Sequence, residues 1–164
     1  MTREFAPLVV MKFGGTSVGD VERIKNVAEI VREFKRDNPG TGVVVVLSAM
    51  AGETNRLVAL AKSCVDRPAP RELDVLLASG EQVTVALLAM RLVELGFSSK
   101  SFLAQQARIT TDIRHNNAQI EGIDTEAIAG LLAQDGIPVV AGFQGITEDG
   151  DLTTLGRGGS DITA

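Results

Sequence analysis

Residues 8–20 read LVVMKFGGTSVGD, an apolar run followed by a turn of glycines and hydroxyls. The run from Leu8 to Phe13 predicts a buried strand, and a helical pattern of apolar residues begins at Val21. A strand that leads through such a turn into a helix brings backbone N–H groups onto phosphate. The stretch therefore predicts an α/β fold with an anion-binding turn at residues 14–17.

Short apolar runs alternate with helical patterns along the rest of the chain. The predicted strands and helices are, in order, residues 8–13, 21–34, 43–47, 54–65, 72–95, 98–103, 124–134, 137–141 and a helix that begins at 159. A bend near Ser79 could divide the long helical stretch in two, and residues 110–122 are predicted as a polar loop with room for a short hairpin. The alternation predicts a three-layer α/β/α sandwich with a mainly parallel sheet.

Composition and charge narrow the class of protein. With 164 residues, the chain is one domain or a piece of one. Its net charge of −5 argues against nucleic acid as the partner, because binding to the phosphate backbone needs clustered lysines and arginines. The single Cys64 suits a reducing compartment, and we see neither a signal peptide nor an uninterrupted apolar run of membrane-spanning length. We therefore expect a cytoplasmic protein without a membrane partner.

A second glycine-rich segment lies at residues 155–164, which read LGRGGSDITA. It predicts another turn that leads into a helix, with Arg157 as its cation where the first segment has Lys12. Neither segment matches a common nucleotide motif: no Gly-Lys-Ser or Gly-Lys-Thr follows the first, and the third glycine of a dinucleotide motif would fall on Asp161. The spacing alone therefore predicts anion binding and no particular reaction.

Four segments resemble the aspartokinase branch of the amino acid kinase family. They are KFGGTSV at 12–18, VLSAMAGETN at 46–55, ASGE at 78–81, and a run from FQG at 143–145 through TTL at 153–155 to GRGGSD at 156–161. They occur in the family's order, and the resemblance covers the whole chain. Family members continue with the half of the kinase domain that holds the nucleotide base, and then with ACT regulatory domains. The resemblance therefore implies that residues 1–164 are the N-terminal part of an amino acid kinase domain.

The resemblance implies a kinase that transfers the γ-phosphate of ATP to the side-chain carboxylate of L-aspartate. The product would be 4-phospho-L-aspartate, in the first step of lysine, threonine and methionine biosynthesis. A carboxylate with a reference pKa of about 3.9 is ionised at neutral pH, so no general base is needed. Because an anion must approach a polyanion, catalysis has to come from positioning and positive charge. ATP would enter with Mg²⁺, and neither a tightly bound cofactor nor a protein metal site is implied.

On the phosphate side, the resemblance assigns catalytic roles to Lys12 and Asp161. Lys12 would neutralise charge that develops during transfer, and Asp161 would hold Lys12 in place by an ion pair. The phosphate-binding residues would be Lys12, Phe13, Gly14, Gly15, Thr16 and Ser17. The same residue types also have ordinary structural explanations: a lysine that reaches solvent from a strand end, glycines in a plain turn, and hydroxyls or an aspartate that begin a helix.

On the substrate side, the resemblance assigns the α-carboxylate of the amino acid to Arg157 and its ammonium group to Glu81. A guanidinium binds a carboxylate with two parallel hydrogen bonds, which gives both energy and orientation. The other predicted substrate-binding residues are Ser48, Thr54, Gly158 and Ser160. The alternatives are a solvated turn arginine, a surface glutamate on a long helix, and hydroxyls that only shape turns. Glu53 departs from the small or apolar residue expected in its loop.

Two other functions remain open from the sequence. The first is a kinase for another small acid, such as glutamate or a carbamate-like substrate, although Arg157 and Glu81 together suit an α-amino acid. The second is a non-catalytic subunit that binds substrate or a partner without turnover. We also expect a homo-oligomer, because the helix after Gly159 has no body to cover the apolar surface. Cys64 is predicted to be a partly buried thiol and His115 a surface-loop residue.

Overall fold

The computed structural model describes residues 7–156 and 158–164. The elements are β1 (Leu8–Phe13), α1 (Val21–Asp37), β2 (Gly42–Leu47), α2 (Glu53–Cys64), α3 (Pro70–Glu94), β3 (Ser99–Phe102), β4 (Ile109–Thr111), β5 (Ile120–Ile123), α4 (Glu126–Leu132), β6 (Ile137–Ala141), β7 (Gln144–Ile146), β8 (Leu152–Thr154) and α5 (Gly159–Thr163). The predicted helices and long strands are present. Asp20 begins α1 as predicted, because its Oδ1 accepts the N–H of Arg23 at 2.8 Å.

The first sheet is parallel, with the strand order β1-β2-β6-β3. Its central strands, β2 and β6, are largely buried on both faces, as their runs of valine predict. β1 is an edge strand, and its residues Leu8 and Val10 are exposed. The prediction that β1 is a buried strand is therefore wrong, because none of the described elements covers that part of its outer face.

Helices lie on both faces of the parallel sheet. The residues of α1 and α3 that pack against one face include Val27, Val31, Leu88 and Leu92. On the other face, Ile128 and Leu131 of α4 pack against the cluster that contains Val44 and Val140. This order of helix, sheet and helix confirms the predicted three-layer sandwich.

A second, mixed sheet has the strand order β5-β4-β7-β8. The sequence predicts a polar loop with room for a short hairpin at residues 110–122, and β4 and β5 pair there as an antiparallel hairpin. β7 and β8, by contrast, were not predicted, because each has three residues and little apolar character. Buried hydroxyls pair within this sheet: the hydroxyl oxygens of Thr111 in β4 and Thr153 in β8 lie 2.6 Å apart.

The long stretch before β3 is one 25-residue helix, α3, without a break at Ser79. Gly80 serves close packing there, because a Cβ atom at this position would lie 2.9 Å from the Cβ of Ala49. The sequence has no uninterrupted apolar run of membrane-spanning length, yet α3, with its charged residues included, is long and apolar enough to cross a membrane by length and composition alone. Half of that apolar stretch is buried within the protein, and Asp74 and Glu81 are among its buried residues, which is typical of a core helix.

Candidate functional site

The candidate site lies at the carboxyl ends of β1, β2 and β6, where open α/β sheets bind ligands. The loops after these strands and the first turn of α5 enclose a cavity of about 300 Å³. Its lining residues are Lys12, Gly15, Ser48, Ala49, Met50, Ala51, Gly52, Thr54, Glu81, Phe143, Gly158, Gly159, Ser160 and Asp161. Residues from both glycine-rich segments, and from the two segments between them, therefore meet in one cavity.

The first glycine-rich turn joins the loop that follows β2. A Cβ atom on Gly15 would lie 2.8 Å from the carbonyl oxygen of Ala49, so only glycine allows this approach. The carbonyl of Gly15 in turn accepts the N–H of Ala51 at 3.1 Å. The two loops thus form one continuous wall of the cavity.

Four of the predicted phosphate-binding residues, Phe13, Gly14, Thr16 and Ser17, lie beside this wall and do not line the cavity. Gly14 accepts the N–H of Ser17 at 2.8 Å and closes the turn. Thr16 and Ser17 are exposed, so their hydroxyls remain open to a ligand above the turn. Phe13 is packed against the apolar core, so its side chain serves packing and only its backbone faces the turn.

Lys12 and Asp161 form an ion pair across the cavity mouth, with 2.6 Å between Nζ and Oδ1. Lys12 is the last residue but one of β1, and Asp161 lies in the first turn of α5. The ammonium group also lies beside the first turn, since a Cβ atom on Gly14 would be 3.5 Å from it. The aspartate therefore holds the cation over the glycine-rich turn, where phosphate oxygens could reach it.

Glu81 is a buried carboxylate at the inner end of the cavity, and its residue is only 3% exposed. Its Oε1 accepts the N–H of Ala49 at 3.0 Å, whereas Oε2 has no hydrogen-bond partner among the described residues. Burial raises the pKa of the Glu81 carboxyl from 4.5 to about 7, and the Ala49 N–H opposes part of that rise. This burial excludes the alternative of a surface glutamate on a long helix.

The loop between β2 and α2 brings Ser48 and Thr54 to the cavity. The carbonyl of Ser48 accepts the hydroxyl of Thr84 at 2.9 Å, which fixes the loop on α3. Glu53, by contrast, forms two hydrogen bonds with Arg56, at 2.7 and 2.8 Å, and does not line the cavity. The unusual residue in this loop is therefore outside the wall that a ligand would touch.

The second glycine-rich segment forms the opposite wall. Gly158 is the N-cap residue of α5 and has a φ of 80°, a left-handed conformation that favours glycine. Ser160 lies close to β6, because a Cβ atom on Gly142 would be 2.7 Å from its Oγ. The predicted carboxylate-binding residue, Arg157, lies outside the described residues.

Six lining residues were not predicted as site residues: Ala49, Met50, Ala51, Gly52, Phe143 and Gly159. Ala49 and Met50 belong to the loop after β2, and Phe143 follows β6 with a φ of 67°. A left-handed backbone at a bulky residue such as Phe143 is uncommon, and no sequence pattern predicts it. Ala49 could have been inferred, since small residues follow Leu47 where the chain leaves the sheet.

The cavity has the chemistry of a site for a small zwitterion next to an anion. Its lining includes the cation of Lys12, the buried carboxylate of Glu81, a left-handed glycine turn at Gly158 and the hydroxyl groups of serine and threonine. Among residues 7–156 and 158–164, no three histidine, cysteine, aspartate or glutamate side chains cluster as metal ligands would.

Comparison with known proteins gives a consistent result. The family model described as "Amino acid kinase family" matches residues 7–164. An aspartate kinase of Pseudomonas putida is 56% identical over 156 residues, which cover 95% of this chain and 38% of the relative. Aspartokinase 2 of Bacillus subtilis is 54% identical over 157 residues, with 96% and 38% covered. The chain thus spans about 38% of the length of these relatives.

Solved structures agree with these sequence matches. The crystal structure of aspartate kinase from Synechocystis matches with a TM-score of 0.78 and 41% identity, over 97% of this chain and 26% of that one. E. coli aspartokinase III in complex with aspartate and ADP matches with a TM-score of 0.75 and 28% identity, over 96% and 45%. The fold is therefore that of these enzymes.

Proposed function

We propose that this chain, which belongs to the amino acid kinase family, carries the amino-acid and phosphate-binding part of an aspartate kinase. The side-chain carboxylate of L-aspartate would attack the γ-phosphorus of ATP. A new O–P bond forms, the bond between the γ-phosphorus and the bridging oxygen breaks, and ADP leaves with the electron pair. The attacking group is already ionised, so no proton has to move.

The observation that carries this proposal is the buried Glu81 carboxylate in the same cavity as the Lys12–Asp161 pair. A buried carboxylate oxygen without a partner is costly unless a ligand supplies one. An α-ammonium group would supply hydrogen-bond donors and an opposite charge. The name of the E. coli neighbour, which was solved with aspartate and ADP, supports the same choice of ligands.

The phosphate end would be formed by Lys12 and the turn at residues 14–17. Lys12 is already held by Asp161, so little reorganisation is needed when the γ-phosphate arrives. The backbone of Gly14 and Gly15 and the hydroxyls of Thr16 and Ser17 would add hydrogen bonds. Mg²⁺ would enter bound to ATP, whose phosphates would supply oxygen ligands that this metal prefers.

The amino-acid end would be formed by residues from three segments. Arg157 would bind the α-carboxylate of aspartate, with Gly158 and Ser160 beside it. Ser48 and Thr54 would donate hydroxyl hydrogen bonds from the opposite wall. Together with Glu81, these groups would fix both ends of an α-amino acid and leave its side chain directed at Lys12.

An assay of ADP release by the full-length protein tests the proposal, with L-aspartate, L-glutamate and carbamate as acceptors. We expect turnover with aspartate, and an acyl phosphate that hydroxylamine converts to a hydroxamate. Turnover with only another acid would assign the site to a different small-acid kinase. Binding of aspartate by calorimetry without turnover would indicate a non-catalytic subunit.

We also propose the context in which this activity would work. A role in lysine, threonine and methionine biosynthesis follows from the proposed product, and the exposed thiol of Cys64 suits a reducing cytoplasm. Cys64 is more exposed than the partly buried thiol that the sequence predicts. A homo-oligomer is supported by exposed apolar side chains at Leu8, Val10 and Ile162, which are 56%, 44% and 63% exposed.

A further inference from the structure

Asp74 is a second buried carboxylate on α3, about two turns before Glu81, and its residue is fully buried. It accepts hydrogen bonds from the Thr154 hydroxyl, from Nδ1 of His115 at 2.7 Å, and from the backbone and side-chain N–H groups of Asn116 at 3.1 and 2.8 Å. These four donors fill the lone-pair positions of one carboxylate. His115 is therefore tied to the helix, which corrects its prediction as a plain surface-loop residue.

The donors to Asp74 belong to two segments that are also joined to each other. Thr154 ends β8, whereas His115 and Asn116 lie in the loop between β4 and β5. The N–H of Ala118, in the same loop, donates to the carbonyl of Thr154 at 3.0 Å. One carboxylate thus fixes both the end of β8 and the loop beside it on α3.

The same loop touches the segment that leads into the candidate site. A Cβ atom on Gly156 would overlap with the side-chain oxygen of Asn117, so the loop lies directly against Gly156. The carbonyl of Gly156 accepts the N–H of Gly159 at 3.0 Å, and Gly158 to Asp161 line the cavity. Contacts therefore run from Asp74 through the Asn116–Asn117 loop to one wall of the cavity.

We propose that Asp74 is a positioning residue, which acts through Thr154 and the loop at residues 115–117 to fix Gly156 and the cavity wall formed by Gly158 to Asp161. Asp74 does not line the cavity, so it acts on a ligand only through these residues. The inference rests on the proposed function, because the ligand that this wall would bind is the amino acid. Loosening Asp74 should weaken binding of the acid and leave ATP unaffected.

Two neighbouring threonines provide a matched test in the full-length protein. Thr154→Val removes the hydroxyl that donates to Asp74, and Thr153→Val removes the hydroxyl that pairs with Thr111 at 2.6 Å. Both residues are buried in β8, and the two substitutions are the same. We expect Thr154→Val to raise the KM for aspartate by at least fivefold and to change the KM for ATP by less than twofold. Thr153→Val should change neither KM by more than twofold.

Equal increases in the two KM values of Thr154→Val, or equal effects of the two variants on aspartate, would overturn the proposal. If Thr154→Val does not fold, His115→Ala removes another donor to Asp74 from a partly exposed position and is expected to give the same split.

Amide hydrogen exchange separates this proposal from the proposed function. In Thr154→Val, the amides of Gly158 to Ser160 should exchange faster than in Thr153→Val, whichever acid the protein phosphorylates. If the parent protein does not turn over aspartate, the proposed function fails and this exchange result alone decides the role of Asp74. Equal exchange in the two variants would refute it.

Discussion

Asp74 and Glu81 are carboxylates on the same helix, and both are buried, yet their surroundings differ. Asp74 receives four hydrogen-bond donors, all from the protein. Glu81 receives one, from the N–H of Ala49, and its second oxygen is buried without a partner among the described residues, in a residue that lines the cavity. Burial alone therefore does not identify a functional acid.

The difference between the two carboxylates indicates how each is used. A buried carboxylate with all its acceptor positions filled stabilises the fold that holds it. A buried carboxylate with an open position carries a cost of desolvation, which a ligand can repay. We assign a positioning role to Asp74 and a binding role to Glu81. We assign to Lys12, which lines the same cavity, the role of accelerating phosphoryl transfer.

The largest effect is expected from Lys12→Ala, which should lower kcat by about 100- to 1000-fold, as loss of a preorganised charge-stabilising group does. The KM for aspartate should change little, because Lys12 faces the phosphate turn and the amino acid is held elsewhere. Steady-state kinetics of the full-length protein measures both. A near-normal kcat in this variant would contradict the assignment of the transfer rate to Lys12 and of amino-acid binding to Glu81.

Glu81→Gln should raise the KM for aspartate by roughly 10- to 100-fold, because a charge-assisted hydrogen bond contributes about 1.5–3 kcal/mol. Glutamine keeps the size of the side chain but loses the charge that an ammonium group needs. The dissociation constant of aspartate, measured by calorimetry, gives an independent check on this KM. An unchanged KM would show that the open oxygen of Glu81 does not face the ammonium group.

Substitutions at the two carboxylates should change the free energy of unfolding in opposite directions. Asp74→Asn places an amide among donors and should cost about 1–3 kcal/mol or more, because buried donors lose their acceptor. Glu81→Gln should stabilise the protein at pH 8 by an amount on the order of 3 kcal/mol at most, since the native pKa is raised from 4.5 to about 7. Urea unfolding of both variants tests this, and equal losses would contradict the comparison.

The sequence predicted the parts of the site that depend on local pattern. In the sequence, Gly15 and the turn around Gly158 are recognisable as glycines between a strand and a helix. Lys12 is recognisable by its position at the end of a strand. The state of Glu81 was not visible, because periodicity places it on α3 but does not show which loop covers it. The pairing of His115 with Asp74 joins residues 41 positions apart, and no pattern in one sequence reports such a contact.

The second sheet shows a different limit of sequence analysis. Its strands β4, β7 and β8 have three residues each, and β4 and β8 bury threonines where an apolar alternation would be expected. Hydroxyl pairs such as Thr111 with Thr153 make that burial tolerable, but the pairing exists only in the folded chain. The long valine-rich strands of the parallel sheet need no such partner and were predicted for that reason.

Aspartate affinity should depend on pH through Glu81. Because burial raises its pKa to about 7, the free protein holds a proton below that pH, which an incoming ammonium group must displace. The dissociation constant for aspartate should therefore increase below pH 7, and approach tenfold per pH unit. Without ligand, the native state binds this proton between pH 4.5 and 7, so the contribution of Glu81 to stability is greatest below pH 4.5 and is lost as pH rises through 7.

Calorimetry of aspartate binding from pH 5.5 to 8.5 measures this dependence, with Glu81→Gln as the matched control. The glutamine side chain does not titrate, so the weaker affinity of the variant for aspartate should be nearly constant over this pH range. A parent protein with flat affinity, or a variant with the same slope as the parent, would assign the titration to another group.

The smallest effect is expected at Glu53, a third carboxylate close to the cavity. Two hydrogen bonds from Arg56 satisfy it and lower the pKa of its carboxyl, so it resembles Asp74 in having partners from the protein. Glu53→Ala should change the KM for aspartate by less than about twofold, because Glu53 does not line the cavity.

The loss of Glu53 from the first turn of α2 should cost about 0.3–1 kcal/mol of stability, through the helix dipole. Glu53→Gln keeps the packing of its Cγ near Gly80 and separates that contact from the charge. A large rise in KM in both variants would mean that acids with partners also bind substrate here, and that an open oxygen is not what distinguishes Glu81.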